Sequence, residues 1–193
     1  TFDNIYHEHT NYWSLFTLNQ FLKNLDLFIY KVEKINTHGG SIRVYVSQET
    51  DIEIDNSVTN LLEEEERFGL KNLSTYLDFG RKIQKLKKQV LDNIKILKQK
   101  NSDIIGYGAP AKATTALNYF NIGNEIKLLV EDNKLKHGKF LPGVNIPIIS
   151  KTNLKIKNPV VLVLAWNFFD EIKKSNSNLS KEFISIKSLE KKL

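Results

Sequence analysis

The 193 residues contain no cysteine. That excludes a disulfide framework, a thiolate metal site and a cysteine nucleophile, and it is compatible with a reducing cytoplasm. Nor is there a run of about 18 apolar residues, the length a membrane-spanning helix needs. Thr1 to Trp13 has neither the basic n-region nor the apolar h-region of a secretory signal. A soluble, cytoplasmic protein without a membrane partner is the expectation. The chain also lacks an initiating Met. The formal charge is +6, but much of it lies in Lys82 to Lys100 and in the Lys191-Lys192 tail. Charge runs of that kind are solvated faces, so no nucleic-acid partner is expected. A phosphorylated small molecule needs only a few cations.

What is present is a core: 41% hydrophobic and 10% aromatic residues suffice for one domain with an appendage, or two small ones. The densest group of proton-moving side chains is Tyr6-His7-Glu8-His9. Chain ends fray unless tied down. A catalytic cluster so near the start therefore leads us to expect further sequence upstream. Ser14 to Leu25 has helical spacing with Ser14 as N-cap. Phe28 to Ile35, with Phe28, Tyr30 and Val32 on one face, and Ser41 to Ser47 alternate as strands around Asn36 to Gly40, which makes a hairpin. Gln48 to Ser57 reads as a linker and Val58 to Phe68 as a helix. Phe79, Ile83, Leu86, Val90, Ile94 and Leu97 form the stripe of a long helix from Leu73 to Lys100. That stripe packs on its own domain or pairs in a coiled coil; a monomer or weak dimer is expected.

Strand and helix then alternate: strands at Asp103 to Tyr107, Ile126 to Glu131, Ile146 to Ile149, Val160 to Ala165 and Phe183 to Ile186, helices at Ala111 to Phe120 and Phe168 to Lys174. The pattern predicts an α/β, Rossmann-like parallel sheet preceded by a long helix, with the N-terminal helix and hairpin apart from it. Gly106-Tyr107-Gly108-Ala109-Pro110-Ala111-Lys112 follows the first strand and opens a helix, where free N–H groups favour an anion. Gly106, Gly108, Ala109 and Lys112 are thus candidate ligand contacts. Glu131 and Asp132 end the next strand, where an acidic residue meets a ribose, and Asn133 follows them. Read without a ligand, the same stretch is an ordinary strand-to-helix turn. Trp166, followed by Asn167, either stacks on a ligand ring or belongs to the core.

The front motif admits three readings. His7 and His9 with His38 could ligate a metal, but the spacing specifies only two ligands, so no metal is assigned. The histidines could be hydrogen-bonded in a loop. Or an imidazole acts as general base, with a carboxylate to orient it and a phenol to meet developing charge.

Phe2 to His9, Thr37 to Val44, Gly106 to Lys112, Glu131-Asp132-Asn133, Leu141-Pro142-Gly143 with Ile146-Pro147-Ile148, and Leu164 to Asn167 resemble, in order, the motifs of the S-adenosylmethionine-dependent sugar C-methyltransferases. The resemblance implies three regions: residues 1–48 as the tail of a methyltransferase domain, 49–100 as linker and helices, and 101–193 as a Rossmann-like nucleotide-sugar-binding domain. It implies deprotonation at C3 of a dTDP-linked 4-keto deoxysugar by His9, with Tyr6 on the enolate oxygen or as an alternative base, and Glu8 orienting. His38 and Arg43 would be substrate contacts. S-adenosylmethionine would be bound by an upstream domain, and zinc only upstream. Glu131 stands where Asp is commoner in the family, and no acidic G-x-G-x-G loop occurs, so this stretch alone is expected not to methylate. A free-standing NAD(P)- or nucleotide-binding module is the rival reading, and a dimerisation piece built on the long helix a third.

Overall fold

The computed structural model describes residues 2–99 and 103–191. Thr1, the expected helix end at Lys100 and the tail residue Lys192 lie outside them. By its contacts the chain forms two units: His9–Arg81, and Phe2–Glu8 together with the chain from Lys82 onward.

The first unit holds α1 (Leu15–Lys23), the hairpin β1 (Phe28–Ile35) and β2 (Ser41–Ser47), α2 (Asn56–Phe68) and the start of α3 (Leu73–Gln99). Ser14 caps α1 in a reciprocal box with Thr17. Glu65 of α2 accepts from Leu15 N at 2.6 Å and Phe16 N at 2.8 Å, so free amides of that helix start meet a carboxylate. β1 and β2 pair antiparallel with a register shift between Ile29 and Lys31. Such a bulge breaks strict alternation. The buried residues are therefore Ile29 and Val32, three apart, instead of the expected Phe28, Tyr30 and Val32 set. Tyr30 O accepts instead from Asp55 N at 2.8 Å. The helix expected from Val58 begins at Asn56, because the Asp55 side chain caps it through Ser57 N. Leu15, Ile29, Val32, Val58 and Leu61 are the buried core.

In the second unit the elements are β3 (Ile104–Tyr107), α4 (Ala111–Phe120), β4 (Leu129–Val130), β5 (Phe140–Leu141), β6 (Ile146–Ile149), β7 (Val160–Val163), α5 (Phe169–Ser175) and β8 (Glu182–Ser185). They form one sheet in the order β5-β6-β4-β3-β7-β8, antiparallel only at β5. The antiparallel strand at Phe140–Leu141 is absent from the sequence expectation: two residues carry no periodicity. β4 is shorter than the expected Ile126 to Glu131, since Gly123–Glu125 forms a 3-10 turn ending at Ile126. The chain runs from β3 outward through β4 to β6, then returns to β7 on the other side of β3. That is the Rossmann-like order, with its switch point between β3 and β7.

Alternation along β3 sorts its residues between the two faces. Ile104 joins Val90, Ile94 and Leu97 of α3 and Ala113, Leu117 and Phe120 of α4 in one core. Ile105 and Tyr107 join Val161, Val163 and Phe169 in the other. Burying each such side chain stabilises by about 1.5–3 kcal/mol. The one polar residue in the α3 stripe, Asn93, is 1% exposed and donates to the carbonyls of Leu189 and Lys191, so it is satisfied by the C-terminal turn.

Candidate functional site

The carboxyl ends of β3, β4 and β7 open on a cavity of about 390 Å³ beside the switch point, where open α/β sheets hold ligands. Tyr107, Gly108, Glu131 and Asp132 line one side, Phe168 and Asn176 the other. Gly108 has φ +86, and a Cβ there would stand 2.9 Å from Ala165 Cβ, so the turn needs glycine. Gly106 has a different reason to be glycine. A Cβ on it would meet Leu129 Cδ2 at 2.3 Å and Leu164 Cδ1 at 3.0 Å, so it serves packing inside the sheet.

Glu131 is engaged by the turn itself. It accepts from Ala109 N at 2.8 Å and Asn133 N at 3.0 Å, while Lys136 Nζ lies 3.7 Å away and donates to Ala109 O. Desolvation pushes its carboxyl up, but those N–H groups and the ammonium outweigh it and hold Glu131 below the usual carboxylate range. Asn133 caps the next turn through Leu135 N. Asp132 is an exposed acid at the cavity, and both its oxygens are within 3.0 Å of the Tyr107 hydroxyl.

Tyr107 is nearly buried at 2% exposure, and its hydroxyl also lies 3.2 Å from Asn176 Oδ1, which accepts from Lys151 Nζ at 2.9 Å. Burial and the hydrogen bond to Asp132 push the phenol up to about 12. An unfolded tyrosine titrates near about 10. Between those values the unfolded chain has lost the proton and the folded one keeps it, so stability present below the unfolded value falls as pH rises through the window. Urea midpoints should drop between about pH 10 and pH 12, and Tyr107→Phe should flatten that slope. The sequence reading passed over Asn176 and Lys151. Asn176 lies in Ser175-Asn176-Ser177-Asn178, which carries the marks of a solvated loop, and nothing local signals its burial.

Lys112 and Trp166 belong to the other face of the sheet. Lys112 Nζ is buried without a hydrogen-bond partner and sits 5.0 Å from the Trp166 ring centre, a cation–π distance. Trp166 packs against the α3–α4 core and donates Nε1–H to Asp3 Oδ2 at 2.8 Å. These contacts are those of a core residue whose ring stands beside the Lys112 ammonium. Asn167 is exposed. Pro110 precedes α4 and no side chain caps that helix start.

The front motif begins in this unit. Tyr6 is half-buried; His7 and Glu8 are exposed and lie 3.8 Å apart, so Glu8 faces His7. His9, half-buried, is counted with the first unit. Arg43 of β2 is exposed and 3.6 Å from Glu33, and His38 belongs to the 3-10 turn Thr37–Gly39 of the hairpin. Among the described residues no three His, Asp or Glu side chains converge as metal ligands, and no helix is long and apolar enough to cross a membrane.

Residues 36–185 match the family model described as C-methyltransferase C-terminal domain. A curated relative, C-methyltransferase NovU of Streptomyces niveus, is 33% identical over 174 residues, covering 89% of this chain and 41% of the relative. The chain thus spans less than half the length of that relative. With a match over most of its length, in both units, the chain belongs to the C-methyltransferase C-terminal domain family.

Proposed function

We propose that this chain is the substrate-handling part of a C-methyltransferase acting at C3 of a dTDP-linked 4-keto deoxysugar. One observation carries the reading. The segment Phe2–Glu8, which leads into His9, folds with the sheet whose strand ends carry the cavity. Tyr6 and Glu8 therefore share a unit with a ligand site, and His9 follows them directly in the chain. Asp132, Asn176 and the apolar wall of Phe168 suit a hydroxyl-bearing ring; the uncapped start of α4 suits the diphosphate.

A C4 carbonyl acidifies the C3 proton. His9 takes that proton, Tyr6 donates its hydroxyl hydrogen bond to the enolate oxygen, and Glu8 orients the pair. His38 and Arg43, in the hairpin of the first unit, stay candidate substrate contacts. The methyl donor, S-adenosylmethionine, finds no fit among the described residues. The first unit offers only a two-stranded hairpin, and the glycine turn at Gly106 to Lys112 has its Ala109 N–H taken by Glu131. Donor binding is assigned to no residue here, and the chain's share is substrate binding and proton transfer.

The engagement of Glu131 by the turn takes one of the two acids on which the rival NAD(P) reading relies for a ribose, while Asp132 remains at the cavity. Calorimetric titration of the chain with dTDP, dTDP-4-keto-6-deoxyglucose and NAD discriminates the two. Binding of the dTDP compounds and not of NAD is expected; the reverse would remove the proposal.

A further inference from the structure

Residues Phe2 to Tyr6 are fastened to the sheet unit at four points. Phe2 is 7% exposed and its ring lies 5.4 Å from Tyr119 and 5.2 Å from Phe120. Asp3 is 3% exposed; Oδ2 accepts from Trp166 Nε1 at 2.8 Å and Oδ1 from Lys187 Nζ at 3.3 Å. Lys187 is itself held by Glu190 at 2.9 Å and stands over the Phe2 and Trp166 rings. Finally, Thr115 of α4 donates to Ile5 O at 2.8 Å.

The last bond bears directly on Tyr6. The Ile5 carbonyl and the Tyr6 amide belong to one planar peptide. Tyr6 N donates to Asn4 O at 3.1 Å, so the plane is held from both edges. Asp3 is three residues from Tyr6, within about 11 Å of chain. Packing alone would be served as well by an apolar residue at position 3, because a buried ion pair adds little net stability over a hydrophobic replacement. What a carboxylate with two directed partners adds is a fixed orientation.

We infer that Phe2 to Tyr6 is a strap and that Asp3, with Trp166 and Lys187, and Thr115 are positioning residues for the proton-transfer motif. The strap makes the Rossmann-like unit, through α4 and the end of β7, the frame that sets where the Tyr6 hydroxyl points. This rests on the proposed function above.

The test uses the complete enzyme with Asp3→Asn and, separately, Thr115→Val. Amide hydrogen exchange within residues 4–8 should quicken by about tenfold, while exchange in β3 and β7 stays as in the parent. With dTDP-4-keto-6-deoxyglucose, kcat should fall by about 10- to 100-fold with KM little changed, as expected when a reacting group is misplaced. Exchange unchanged in both variants would overturn the strap. Faster exchange with parental kcat would overturn positioning. If Asp3→Asn unfolds the unit, Thr115→Val, which loses one hydroxyl on a partly exposed helix face, decides alone. The underlying reading fails separately, if His9→Ala and Tyr6→Phe both keep the parental rate.

Discussion

Replacing His9 by Ala in the complete enzyme should slow methyl transfer by about 10²- to 10⁴-fold, the usual contribution of a positioned general base. Affinity for the dTDP sugar should barely change, because the imidazole is assigned to the C3 proton and the nucleotide to the sheet unit. Tyr6→Phe keeps the ring and removes the only atom assigned to the enolate. Its loss should fall on kcat, at about 10²- to 10³-fold for a single oxyanion donor. Glu8 is 66% exposed at its side chain and faces His7, so Glu8→Gln should cost far less than either. A ranking in which Glu8→Gln is the most damaging of the three would place the base at His7. Steady-state rates of the three variants against one sugar substrate settle the order.

The largest structural effect is expected at Gly106. A single methyl there would stand 2.3 Å from Leu129 Cδ2, and Leu129 is fully buried in the adjoining strand. The Leu129 side chain or the strand must shift, in a core where overpacking costs about 1–3 kcal/mol. Gly106→Ala should therefore lower the urea midpoint of the sheet unit whether or not ligand is present. The pairing of Gly106 with Leu129 in register on neighbouring parallel strands explains the contact. Leu129→Ala in the same chain should recover part of the loss, since it removes the obstructing methyls, although alone it leaves a cavity. Equal midpoints for Gly106→Ala and the parent, with weaker dTDP binding only, would restore the reading of Gly106 as a ligand-approach glycine.

These two residues also mark where sequence reasoning reached and where it stopped. Helix and strand positions were legible wherever periodicity ran long: Ala111 to Phe120, Ile146 to Ile149 and both hairpin strands stand at their expected bounds. The Rossmann-like order followed from alternation of strand and helix, which leaves few topologies. The bulge at Ile29 was not legible, because its cause lies in Asp55 and Ser57, more than twenty residues on, which take the Tyr30 carbonyl and the Val32 amide.

At the site, the glycine turn and the acids after β4 were found by spacing, but their duties were not. Glu131 is held by backbone amides that only the folded turn brings to it. Tyr107 was passed over between two glycines, and its environment depends on Asp132, Asn176 and Lys151, from three separate loops. Asp3 lies within the front motif, yet its partners Trp166 and Lys187 lie more than 160 residues away, a separation no local pattern bridges.

In the proposed reaction the Tyr6-to-His9 motif removes the C3 proton of a 4-keto nucleotide sugar. Incubating the complete enzyme with dTDP-4-keto-6-deoxyglucose in deuterated water, without methyl donor, tests it most directly. Deuterium should enter C3 in the parent enzyme, and His9→Ala should slow that entry by about 10²- to 10⁴-fold. Methyl transfer at the parental rate by the His9→Ala enzyme, with no C3 exchange in the parent, would contradict it.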